Sequence, residues 1–179
     1  MIKKIINPHN LTDDMMDDII SRVKILPINQ NNEILLCKVN GIYHFIGGHI
    51  EQNESQVECL KRELKEETGI TISNTDLSPF LLLKRYSNNY FNTNKKCLLK
   101  IYYFALKIEE HYNINKQSLD IQEKNNNFSL EYVDFDNVED ILFDNMSLDN
   151  QVLFDEMMYV INRYKEYCDC LNMKVKMIR

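Results

Sequence analysis

The chain has 179 residues, 44% of them hydrophobic, with 27 acidic against 21 basic side chains and a formal net charge of −6. That length can bury one core, so a single domain over 1–179 is expected, and the acidic balance disfavours a nucleic-acid surface, which needs a basic field. No apolar run nears the ~20 residues that span a bilayer, the N-terminus turns polar too soon for a signal peptide, and five scattered cysteines without a CxxC pair read as reduced thiols; the expectation is a cytoplasmic protein with no membrane partner.

In chain order, Thr12 followed by Asp13 and Asp14 predicts a short capped helix. Apolar residues around Val23 and Ile25 predict a strand. Ile34–Val39 and Ile42–Phe45 flank Asn40-Gly41, a pair that tolerates positive φ and so predicts a tight antiparallel hairpin delivering the chain to Gly47-Gly48. A helix follows over 55–68. Ser55 with Glu58 three residues on forms a capping box, Val57, Leu60 and Leu64 make the buried stripe, and Gly69 ends it. Further strands are predicted at 80–86, 98–108 and 128–133, with polar loops at 87–96 and 109–127 between them. The second is long for a compact domain, so a functional or mobile loop is expected. A last helix begins at Ser147 and fades near residue 170. It packs on the core or, alternatively, against a second subunit in a homodimer. A basic tail closes the chain at 174–179.

The chemistry concentrates on the helix over 55–68. Spacings of three and four place Glu63, Glu66 and Glu67 on one patch, offset by roughly a quarter turn from the apolar stripe at about 100° per residue. Three neighbouring carboxylates raise one another's pKa, and a hard divalent cation relieves that repulsion. A charged helix face is ordinarily just solvated. Here Gly47-Gly48 precedes the helix, Glu54 stands at its start, and Arg62 can anchor Glu54 and orient Glu63.

Gly48, five residues, Glu54, seven residues and then Arg62-Glu63-Leu64-Lys65-Glu66-Glu67-Thr68-Gly69-Ile70 resemble the signature box of the Nudix hydrolase family, with every specified position filled. The resemblance implies an α/β fold, an α/β/α sandwich with a mixed sheet and a loop–helix–loop catalytic unit, its core over about 21–144 and an extra C-terminal helix over about 147–170. It implies hydrolysis of a nucleoside diphosphate linked to another group: a nucleoside triphosphate, a nucleotide sugar or a dinucleotide. Mg2+, or Mn2+, is the implied cofactor. Glu63 and Glu67 are implied metal ligands, Glu66 a ligand or water activator, the Gly48 carbonyl part of the metal shell, and Glu54 with Arg62 the support. Ile46 departs from the proline often found before the glycine pair, and Tyr43 or Phe45 stands where tryptophan is usual.

Outside the box, Glu123 is the preferred extra base, ahead of Glu109, Glu110 and Glu131. Arg85, Tyr86 and His49 are candidate substrate contacts, through phosphate binding or stacking. Two other classes stand against the enzyme. A non-catalytic module that senses a nucleotide on the same fold should have lost box carboxylates, and this chain keeps them. Isomerase chemistry on an isoprenoid diphosphate would need a catalytic cysteine ahead of the helix, where only Cys37 is available.

Overall fold

The computed structural model describes residues 1–109 and 111–177, with side chains through Cys168. Glu110 and the side chains of the basic tail at 174–179 lie outside the described residues. The elements are β1 (Ile2–Ile6), β2 (Asp18–Ile28), β3 (Glu33–Val39), β4 (Ile42–Phe45), α1 (Gln56–Thr68), β5 (Leu81–Ser87), β6 (Cys97–Lys107), α2 (Ile121–Asn125), β7 (Ser129–Asp134), α3 (Val138–Asp144) and α4 (Gln151–Met177).

The sheet runs β1-β5-β6-β2-β3-β4, with β7 also paired to β3. It is mixed: β1 with β5 and β2 with β6 are parallel, and the other pairs are antiparallel. Period-two alternation sorts the side chains onto two faces. Leu26, Ile28, Leu36, Ile101 and Tyr103 face a core that includes Val138 and Leu142 of α3 and Met157, Val160 and Ile161 of α4. Val23, Ile25, Leu35, Cys37 and Phe104 face the opposite core, with Cys59, Leu60 and Leu64 of α1. Helices thus cover both faces, which explains why β6 reads as a near-continuous apolar run broken inside only by Lys100. The expected α/β/α arrangement is what forms.

Several local expectations change. Residues 13–15 make only a 3-10 turn with no side-chain cap from Thr12, because Met16 returns to extended backbone. β1 and α3 carried too few residues for their periodicity to register. The stretch 109–127 is not structureless: it holds a 3-10 turn at Ile114–Lys116 and α2, whose cap is a reciprocal Asp120–Glu123 box. In α1, Val57 is only half-buried and Cys59 fills its place in the core. α4 continues to Met177 rather than fading near 170. The hairpin and α1 ends follow the sequence expectation. Asn40 and Gly41 both have positive φ, and Ser55 and Glu58 cap each other.

Candidate functional site

The site begins at the turn after β4. The Val23 N–H donates to the Gly48 carbonyl (3.0 Å) and the Ile25 N–H to Ile46 O (2.9 Å), so the chain leaving β4 lies along β2. Gly47 sits at φ +119°, where a Cβ would run into the Val23 carbonyl; at Gly48 a Cβ would run into the Glu63 carboxylate. Only glycine lets this loop press against strand and acidic helix together. The Lys24 ammonium ties the loop down by donating to Phe45 O (2.9 Å) and Gly47 O (2.6 Å). Sequence reasoning passed over Lys24; its signal was a cation between the apolar residues Val23 and Ile25, two residues after Arg22.

From α1, Arg62 gathers the carboxylates. It donates to both oxygens of Glu54 (2.8 and 3.0 Å), to Glu63 Oε1 (2.8 Å), to Glu66 Oε2 (3.0 Å) and to the His49 carbonyl (2.9 Å). The planar fork suits this many-sided grip. The guanidinium beside Glu54 holds that carboxyl below its usual range. Glu63 is buried, and burial pushes its pKa up against the opposing pull of Arg62.

Glu67 is the most constrained of the cluster. Its Oε1 accepts the Gly47 N–H (3.2 Å), while Oε2 is buried with no hydrogen-bond partner among the described residues. Burial first, opposed by Lys24 and reinforced by Glu63, pushes its pKa up to about 8.

The fourth carboxylate arrives from the loop. The last carbonyls of α1 have no partner within the helix. They are taken up by the Ser118 N–H to Glu66 O (2.9 Å), Gln117 Nε2 to Glu67 O (2.6 Å) and the Asn113 N–H to Thr68 O (2.8 Å). This clasp sets α2 beside the cluster. Glu123 then lines one cleft of about 490 Å3 together with Gly48, His49, Glu63, Glu66 and Glu67. Burial raises the Glu123 pKa.

Arg85 and Tyr86 are not brought to this cleft. Tyr86 is buried and its hydroxyl donates to Asp13. Arg85 pairs with Glu156 at 3.0 Å and lines a neighbouring cavity. Of the other outside carboxylates, Glu131 pairs with Lys38, and Glu109 lines a separate cavity at a different end of the sheet. Arg22, which the sequence reading did not select, lines the cleft and donates from Nε to His49 Nε2 at 3.1 Å.

Among the described residues no three Asp, Glu, His or Cys side chains stand as a finished cation cage; Arg62 Nη1 lies between Glu63 and Glu66 and draws them onto itself. The donor set nonetheless fits a hard divalent ion. It offers carboxyl oxygens, and the buried Glu67 Oε2 is a polar atom that none of the described residues satisfies.

A glycine turn pressed on an acidic helix, framed by a mixed sheet between helices, defines the class. A family model described as the NUDIX domain matches residues 19–155, and the chain belongs to that family. Among curated proteins it is similar to the NAD-capped RNA hydrolases NudC of Vibrio atlanticus strain LGP32 (41% identical over 54 residues, 28% of this chain and 20% of the relative) and of Pseudomonas entomophila strain L48 (39% over 59 residues, 31% and 21%). The chain thus spans about a fifth of the length of the curated relatives it matches. Among solved structures, a C. elegans Ap4A hydrolase binary complex shares the fold, with TM-score 0.52 and 13% identity over 84% of this chain and 98% of that one.

Proposed function

We propose that the protein is a metal-dependent Nudix hydrolase that cleaves a diphosphate linkage in a nucleoside diphosphate derivative. The observation that carries this reading is the buried, unpartnered Glu67 oxygen in a cleft shared with Glu63, Glu66 and Glu123. A buried carboxyl oxygen left without a partner is costly unless a bound group completes it.

Glu63, Glu66 and Glu67 would hold magnesium or manganese, with the Gly48 carbonyl beside them. That carbonyl already accepts from Val23 and has one lone pair left to offer. Bound there, the ion supplies neutralisation of the charge that builds on the phosphate oxygens. The chain's own groups do the rest. Arg62, fixed by Glu54, sets the orientation of Glu63 and Glu66. Glu123 or Glu66 takes the proton of the attacking water, and burial raises the Glu123 pKa, the direction that makes its carboxylate a stronger base. His49, whose ring accepts from Arg22, lines the same cleft and would meet the phosphate chain there.

The names of the NudC relatives point to NAD-capped RNA as a substrate worth testing, beside dinucleotides, nucleoside triphosphates and nucleotide sugars. Magnesium-dependent turnover of a panel containing all four is expected, with product analysis distinguishing release of pyrophosphate from release of a mononucleotide. Glu67→Gln should lower kcat by at least about 100-fold. Tight nucleotide binding without hydrolysis of any panel member would replace the enzyme with a sensing module.

A further inference from the structure

We infer that Arg22 is the diphosphate-binding cation of the site, and that the substrate's planar base lies beyond it in a second cavity walled by Phe91. This rests on the hydrolase reading and adds where the two ends of the substrate lie.

Arg22 lines two spaces at once, the carboxylate cleft and a neighbouring cavity of about 560 Å3 between the sheet and α4. A molecule with one end at Glu63, Glu66 and Glu67 and its other end in the second cavity must pass this guanidinium. The other cations near that path are committed. Arg62 is held by Glu54, Glu63 and Glu66, Arg85 by Glu156, and the Lys24 ammonium by the Phe45 and Gly47 carbonyls. Arg22 donates only its Nε, to the His49 ring, and among the described residues it is matched to no carboxylate. Its remaining N–H groups form the fork that suits phosphate oxygens.

The second cavity has the character of a base pocket. Leu99, Ile101 and Leu153 give it apolar walls, and Tyr90 and Phe91 stand at its edge. Phe91 is 79% exposed and sits at φ +47°, a left-handed backbone that bulky residues rarely adopt. Its ring meets that of Tyr90 at 4.4 Å, edge to face. The turn carrying it is closed on itself, with the Tyr90 N–H donating to Lys95 O (2.9 Å) and the Asn94 N–H to Asn89 Oδ1 (2.8 Å), and Lys95 pairs with Asp18 at 3.0 Å. Strained backbone clusters at ligand sites, and here it holds an exposed apolar ring among the residues that line the cavity. A planar heterocycle stacks on such a ring whatever its identity.

Calorimetric binding of ADP and of inorganic pyrophosphate in magnesium buffer separates the two halves of the claim. Arg22→Ala should weaken both probes by about ten-fold or more, with Arg22→Lys recovering part of the loss. Phe91→Ala should weaken ADP by about five-fold or more and leave pyrophosphate unchanged. In turnover, both losses should appear in KM rather than kcat. Wild-type affinity in Arg22→Ala, an equal effect of Phe91→Ala on the two probes, or a wild-type protein that binds neither would overturn the inference. Binding that follows this pattern without hydrolysis would instead sink the enzyme reading and leave the inference standing.

Discussion

At the scale of the residue, the site depends on atoms that leave no room for substitution. A methyl at residue 48 would meet the Glu63 carboxylate, the movable end of a flexible side chain rather than backbone. Gly48→Ala should therefore fold with nearly unchanged Tm yet lose about 10- to 100-fold in kcat, since a small displacement of a reacting group is expensive. A melting curve beside a kinetic assay checks both halves. Glu67 makes a further demand. Its folded carboxyl keeps its proton up to about pH 8, against a free value of 4.5. Between those values the folded state holds a proton that the unfolded chain has released, so metal-free stability falls as pH rises through that window. Below it both states are protonated and the penalty vanishes. Glu67→Gln should flatten this decline, raising Tm by several degrees at pH 8 in EDTA and little at pH 4.5. Parallel curves for the two proteins would refute the assignment. The carboxylates and Arg62 could be read from spacing alone because α1 is one regular element. Arg22 and Lys24 could not, since their partners come from the end of β4 and the loop after it, 21 to 27 residues away in sequence.

At the scale of the element, α1 was legible because cap, stripe and terminator agree with one another. Its stripe anchors the acidic face: Leu60 and Leu64 are fully buried against β2, β3 and β6. Leu64→Ala should destabilise the protein by about 2–5 kcal/mol in urea unfolding, and a change below about 1 kcal/mol would mean that the helix is held by something other than this contact. The segment that delivers Glu123 was opaque for the converse reason. Its geometry is dictated by the orphan carbonyls of α1, which act from a distance in the chain and leave no periodic trace in residues 113–118. β1 is legible only afterwards. Among the described residues it pairs with β5 alone, as an edge strand carrying Lys3 and Lys4, and charge on an edge discourages pairing with other chains.

At the scale of the whole molecule, two apolar cores share one sheet, so neither face can melt while the other stays packed. Unfolding in urea should be a single transition, with tyrosine fluorescence and far-ultraviolet circular dichroism coincident. Two separated midpoints would show that α4 or another unit behaves as its own domain. Among the described residues no helix is long and apolar enough to cross a membrane.

The parallel seam between β2 and β6 joins Asp18–Ile28 to Cys97–Lys107, stretches roughly eighty residues apart along the chain, and such distant pairings are slow to close. The loop that carries Gly48 is stitched to β2, and the clasp that delivers Glu123 follows directly on β6. Competence therefore arrives late in maturation: a nascent chain still short of β6 already carries the entire acidic signature and has nowhere to use it.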